Sequence, residues 1–349
     1  MKERDFPIDF LRTLGLFAII LAHVSPPALI SQLRSFDVPL MVVISGYVFA
    51  ITKPTSENTF KLIPYVKNRF VRLAIPVWIF LSFFFILVFI SSHVLNIPFP
   101  FGGAKILSSY LLWNGIGYVW IIRVFLMIAI CGPLFIKKIE KFKNKLHIIA
   151  ILYVSYEIIF LLYTKIYFKL NDNLNLILIG TLFYLIPYLL FFTYGTFFRQ
   201  MKKNTTSSII LILVITLVVG IWYTYDKNGV LLDIRRFKYP PTSFYTTYAI
   251  LISTLLLKYI NIFEKIKSIK SRTLIHFIGS STLWIYLWHI PIVLFLHFAE
   301  FNYIFIKYIL VICLSICITF IQQKFLYFLL TKNKLLKSRE KLLKIIFTG

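Results

Sequence analysis

Three residues near the start of the chain have the types and spacing to do chemistry: Asp9, Arg12 and His23. On a helix, Arg12 and His23 stand eleven positions apart. At about 100° and 1.5 Å per residue, that puts them within about 20° of one face and about 16 Å apart in depth. A guanidinium pairs with oxyanions. An imidazole with its ordinary pKa near 6.5 can take a hydroxyl proton at neutral pH and return it, an effect worth about 10² to 10⁴ in rate. Asp9, three residues before Arg12, can pair with the guanidinium and hold it. The run Ser25-Pro26-Pro27 after Ala22-His23 ends a helix and opens it to solvent, where a base can meet a substrate. Plainer roles compete: Arg12 as a snorkelling anchor, His23 as a neutral imidazole bonded to a neighbouring helix.

Further on, Arg123 follows Trp120, and His289 lies in Ile285-Tyr286-Leu287-Trp288-His289-Ile290-Pro291, with Glu157 a possible carboxylate partner for either. The competing role is polar glue between helices, which fits Glu157 better than Arg123 or His289; Lys307 reads as a snorkelling residue. Arg69 and Arg72, three apart on one helical face in Lys67-Asn68-Arg69-Phe70-Val71-Arg72, suit phosphate oxygens, which guanidinium binds through bidentate charge-assisted bonds. The cluster Arg235, Arg236 and Lys238 suits an anionic glycan or lipid phosphate, or headgroup anchoring. His93, His147, His276 and His297 lack partners in sequence and read as structural. Cys131, Cys313 and Cys317 fall in apolar segments without the close Cys/His pairs of a zinc site, so no metal and no disulfide framework is expected.

The elements that must position these groups follow from composition. A chain of 349 residues that is 59% hydrophobic carries more apolar surface than a soluble core buries. The reading is an all-α polytopic integral membrane protein, a multi-pass protein of the cytoplasmic membrane. About ten transmembrane helices are expected, in windows 7–27, 37–53, 73–94, 117–136, 147–166, 174–198, 207–225, 242–260, 276–298 and 303–328. The net charge of +25 is carried by short runs between these windows, which argues against nucleic-acid binding. One set of connections holds Lys2, Arg4, Lys53 to Arg72, Lys137 to Lys145, Arg199 to Lys203, Lys258 to Arg272 and the tail; the other is poorer in Lys and Arg. The positive-inside rule therefore sets both termini inside. The first span lacks a cleavage site and is expected to be retained. Loops 95–116 and 226–241 are long enough for function, and Ala104 to Trp113 is a candidate interfacial helix. One transmembrane domain, 1–349, is expected, with no appended soluble domain.

Several of these features occur together in the acyltransferase 3 family of membrane O-acyltransferases, which the sequence resembles over nearly its whole length. They are Asp9-Phe-Leu-Arg12 with ten residues to His23; Phe36-Asp37-Val38-Pro39-Leu40 running into Ile44-Ser45-Gly46-Tyr47; Arg69-x-x-Arg72; Trp120; and Tyr286-Leu287-x-His289. Thr13-Leu14 before Gly15, and Met41-Val42-Val43 before Ser45-Gly46, depart from the family's pattern. The resemblance implies transfer of an acyl group, usually acetyl, from cytoplasmic acyl-CoA to a hydroxyl of an envelope carbohydrate: a polysaccharide, a lipid-linked sugar or a wall polymer. Acyl-CoA is the donor substrate, with no permanently bound cofactor. Membrane lipids and a separate extracytoplasmic transferase are possible partners. On this layout Arg69, Arg72 and Arg12 bind the CoA, His23 is the general base and Asp37 orients it. Arg123 stabilises the oxyanion or contacts a phosphate or sugar, and Trp120, Tyr286 and His289 bind the acceptor. A transporter of a glycan or small anion, using Arg12, Arg123 and Glu157 as pathway charges, is the competing class, although no duplicated halves are seen. A silent assembly subunit is a third.

Overall fold

The computed structural model describes residues 5–52, 61–113, 115–167, 171–229, 233–266 and 268–348. Lys2, Arg4 and Lys53, which entered the charge count, lie outside them. The described residues are helical, with no strand. In chain order the helices are α1 (Phe6–His23), α2 (Ala28–Leu33), α3 (Asp37–Thr52), α4 (Leu62–Val94), α5 (Gly103–Tyr110), α6 (Trp120–Ile139), α7 (Lys145–Ile166), α8 (Asp172–Gly180), α9 (Leu182–Phe198), α10 (Lys203–Asn228), α11 (Ser243–Lys258), α12 (Ile269–Ser280), α13 (Thr282–Phe298), α14 (Ile304–Lys332), α15 (Lys334–Ser338) and α16 (Glu340–Thr348).

Among the described residues, eight helices are long and apolar enough to cross a membrane, or nine if the bent pair α12 and α13 is one span. The chain is a polytopic membrane protein. Helices α7 and α10 make the case physically: their most apolar windows are only 11% and 17% buried. Ile151, Leu161, Leu211 and Ile212 are left exposed. Apolar faces of that extent have no place in water and match lipid. All ten expected windows fall on helices, but four differ in detail; window 174–198 divides at Thr181 between α8 and α9. The third begins eleven residues early, at Leu62 rather than 73, so Arg69 and Arg72 stand on one continuous helix of 33 residues. Window 242–260 holds the 16-residue α11, shorter than the roughly 20 residues of a perpendicular crossing. Window 276–298 is broken, with an 80° bend between α12 and α13. The run Gly279-Ser280-Ser281-Thr282 explains the break, because hydroxyls beside the backbone compete for its hydrogen bonds and glycine holds a helix weakly.

The contacts divide the chain into two compact units. The first comprises Met1–Pro26, Lys61–Leu126 and Lys267–Gly349. Here α1 starts on an Asp5 cap that accepts from Ile8 N at 3.3 Å, has Pro7 in its first turn and ends before Pro26-Pro27. It packs closely on α12, where a Cβ added to Gly279 would lie 2.6 Å from the Asp9 Cβ. Polar pegs tie α13 to α14: Trp288 Nε1 donates to Gln322 Oε1 at 2.7 Å, and Gln323 Nε2 donates to Ser281 Oγ at 2.8 Å. Trp284 Nε1 donates to the Ile346 carbonyl of α16 at 2.8 Å.

The second unit comprises Pro27–Phe60 and Met127–Ile266. Its centre is the pair α3 and α9, joined through reciprocal glycines. A Cβ on Gly46 would lie 1.9 Å from the Phe192 carbonyl oxygen, and one on Gly195 would lie 2.0 Å from that of Val43. Thr196 Oγ1 donates to the Gly46 carbonyl at 3.2 Å. Small residues that let backbones touch are a standard membrane packing device, and this gives the Ser45-Gly46 motif a structural meaning. Around it, Tyr156 OH donates to the Pro241 carbonyl at 3.0 Å and Tyr163 OH to Asn175 Oδ1 at 2.9 Å.

Candidate active site

In the first unit, α1 delivers two polar clusters, one at each end. At the end that carries Arg12, the expected pair forms: Arg12 Nη1 lies 3.2 Å from Asp9 Oδ1. The other carboxylate oxygen meets His276 Nδ1 of α12 at 2.9 Å, and Thr13 Oγ1 donates to the Asp9 carbonyl at 2.9 Å. Arg272 stacks its guanidinium 4.2 Å from the Phe6 ring centre, and the Phe6 ring meets His276 edge-on. Asp9 is buried to 1% exposure, so its charge is held by two partners. His276, which lacks a partner in sequence, has one across 267 residues.

At the other end, His23 closes α1. Its Nδ1 lies 3.0 Å from Nε2 of His289, a residue with no exposed surface. The His289 Nδ1 in turn is bonded to the Tyr286 carbonyl one turn earlier on α13. Proton positions follow from valence. A carbonyl oxygen can only accept, so His289 Nδ1 carries the hydrogen and its Nε2 presents a lone pair. His23 Nδ1 must then donate to that lone pair, and a neutral His23 is left with its lone pair on Nε2. A residue that the sequence reading missed, Tyr118, completes the arrangement. Its ring packs edge-on against His23 at 4.8 Å and against His289 at 5.8 Å, and its backbone carbonyl accepts from Tyr286 OH at 2.6 Å.

Tyr118 sits in the turn between Trp113 and Trp120, with Gly117 at φ +83° just before it. Trp120 opens α6, and Arg123, one turn on, lays its guanidinium 4.4 Å from the Trp113 ring centre. This cation–π contact holds a charge that hydrocarbon would otherwise penalise. Of the candidate acceptor residues, His289 is therefore brought to His23 directly and Tyr286 through His289 and Tyr118, and Trp120 and Arg123 follow Tyr118 in the chain. Arg69 stacks on Tyr65 at 5.2 Å on the early turns of α4, with Arg72 one turn later and exposed.

Two candidate carboxylates have their own partners in the second unit. Asp37, a candidate to orient His23, belongs to the second unit, where its carboxylate is bonded to Arg34 and lies 3.7 Å from Lys238 Nζ. Its Oδ1 also accepts from Val38 N at 2.8 Å. The group bonded to His23 Nδ1 is a second imidazole. Glu157 likewise binds Ser243 in the second unit, accepting from its backbone N at 2.6 Å and its Oγ at 3.0 Å, at the start of α11, where a helix N-terminus favours a carboxylate.

The acyltransferase 3 profile, described as an acyltransferase domain, matches residues 7–322. The chain belongs to the acyltransferase 3 family. No curated protein and no solved structure matches it. The family match begins in the first turn of α1 and ends within α14, so it spans both units and contains His23, Arg12, Arg123, Asp37, Arg69, Arg72, Trp120, Tyr286 and His289. This acyltransferase 3 member is a multi-pass membrane acyltransferase.

Proposed function

We propose that the protein transfers an acyl group, acetyl in the simplest case, from cytoplasmic acyl-CoA to a hydroxyl of an envelope carbohydrate, with His23 as general base. The observation that carries this reading is the chain of hydrogen bonds from the Tyr286 carbonyl through His289 to His23, which presents the His23 Nε2 lone pair on a base held at the end of a helix. The acceptor O–H would give its proton to that nitrogen as its oxygen attacks the thioester carbonyl. Collapse of the tetrahedral adduct breaks the C–S bond, and the same nitrogen returns the proton to the departing thiolate. Base and acid are thus one group, and no proton is left over.

With both termini inside, Arg12, Arg69 and Arg72 fall at the cytoplasmic end of the first unit. Arg69 and Arg72 suit the CoA phosphates, and the pantetheine arm would run beside α1 from Arg12 to His23, about 16 Å along the axis. Arg123, held against Trp113, would stabilise the oxyanion or contact a phosphate or sugar of the acceptor. A transferase that delivers acyl groups outside the membrane is a possible partner. The test is His23→Ala in purified, reconstituted protein supplied with labelled acetyl-CoA and envelope glycan. Folded variant without transfer is the expected result, and transfer at the normal rate overturns the assignment.

A further inference from the structure

The basic cluster near the end of the 226–241 loop separates into unlike parts. Arg235 is matched by Asp233 through bonds of 2.9 and 2.8 Å, which hold that carboxyl below its usual pKa. Arg236 is exposed. Lys238 is instead buried, with 5% exposure, and shares the second unit with Arg34 and Asp37. Two cations thus meet one carboxylate, and the carboxylate does not satisfy them. Arg34 binds it through Nη1 only, leaving Nε buried without a hydrogen-bond partner. Lys238 Nζ stands at 3.7 Å, an ion-pair distance too long for a hydrogen bond. Tyr188 and Tyr245, both fully enclosed, lie within electrostatic range of Asp37 and of each other's hydroxyl; neither hydroxyl meets a further hydrogen-bond partner, so the pair has one donor to spare. The Lys238 ammonium lies over the Tyr245 ring, 6.0 Å from its centre.

Buried donors without acceptors and an excess positive charge are each costly in a low-dielectric interior. One ligand removes both penalties: an anion with several acceptor oxygens. We propose that Arg34, Lys238, Tyr188 and Tyr245 form a phosphate-binding site in the second unit, filled by the donors that Asp37 leaves over. Guanidinium and ammonium together are the usual cradle for phosphate oxygens. Leu33 and Tyr239, the sequence neighbours of the two cations, are exposed, so the cluster lies just beneath the surface of its unit. The phosphate can belong to a lipid headgroup or be free in solution. The site stands independently of acyl transfer.

The test uses the full-length protein in neutral detergent, with thermal unfolding followed at matched ionic strength in phosphate or chloride. A second pair of arms adds phosphatidic acid or, as control, diacylglycerol to the micelles. Greater stabilisation by inorganic phosphate or by phosphatidic acid is expected, and the arm that responds identifies the source. Lys238→Gln should weaken that effect about tenfold, the size of one lost charge-assisted hydrogen bond. Arg34→Gln alone strands Asp37 and can fail to fold, so the charge-balanced double variant Arg34→Gln/Asp37→Asn replaces it and should also weaken the effect. Asp37→Asn alone should strengthen it, because the competing carboxylate is gone. Equal stabilisation by phosphate and chloride with no response to phosphatidic acid, or an effect unchanged in Lys238→Gln, overturns the site.

Discussion

Replacing His289 by phenylalanine tests the proton positions on which the proposed mechanism depends. The ring keeps nearly its size in a site with no exposed surface, so packing changes little; what disappears is the lone pair 3.0 Å from His23 Nδ1. A neutral hydrogen bond contributes about 0.5–1.5 kcal/mol net, and a donor left buried without an acceptor costs about 1–3 kcal/mol. His23 escapes that cost by turning its ring or moving its proton to Nε2, either of which removes the lone pair from the reacting position. At about 1.4 kcal/mol per factor of ten, kcat should fall about tenfold to a hundredfold with KM for acyl-CoA little changed. Loss of the base itself in His23→Ala removes about 10² to 10⁴. His289→Gln, whose side-chain carbonyl can accept from His23, should restore part of the rate. Nitrogen-15 NMR of histidine-labelled protein reads the tautomer without reference to activity. A wild-type spectrum with the His23 proton on Nε2, or a His289→Phe variant with unaltered kcat, refutes the reasoning.

Three further variants separate structure from chemistry. Gly46→Ala forces a Cβ to within 1.9 Å of the Phe192 carbonyl oxygen, so α3 and α9 must part; a loss of about 1–3 kcal/mol is expected, read as a lower unfolding temperature in detergent. Glu157→Gln weakens the charge-assisted bond to Ser243 N and should cost about 1–2 kcal/mol of stability. It should leave acyl transfer by the folded fraction unchanged, whereas a partner of Arg123 or His289 would lower it. Asp9→Asn removes the charge held by Arg12 and His276. It should destabilise the protein by about 2–3 kcal/mol and raise KM for acyl-CoA through the loosened Arg12, which a titration of initial rates against acyl-CoA measures.

Much of the fold is legible in the sequence because lipid imposes a simple rule, long apolar runs in helices, and all ten windows fall on helices. The Asp9–Arg12 pair is equally legible, because three residues on a helix fix a distance. The bend at Ser281 carries a signal in Gly279-Ser280-Ser281-Thr282 that apolar averaging over a window hides. The partnership of His23 with His289 spans 266 residues, and no local spacing encodes it; the family motifs place both rings on the chain but not against each other. Tyr118 stays invisible for a different reason. It lies in an irregular turn after Gly115 and Gly117, where neither periodicity nor charge marks a side chain. Asp37 is half legible: its bond to Arg34, three residues before it, is a local spacing, while the approach of Lys238 from two hundred positions away is encoded by nothing nearby.

The length of α4 has a consequence of its own. Thirty-three residues make a rod about 50 Å long, against a hydrocarbon layer of about 30 Å. Even at a tilt of about 40°, the upper end of what spans adopt, the rod still projects about 38 Å along the bilayer normal. Some 8 Å or more must therefore stand clear of the oil, and the turns bearing Lys67, Arg69 and Arg72 are the part fit to do so. They continue the same helix across Pro76, whose ring nitrogen cannot donate to the Arg72 carbonyl, so whatever those arginines grip is held near a set height, and the helix serves as a gauge whose markings are turns of backbone.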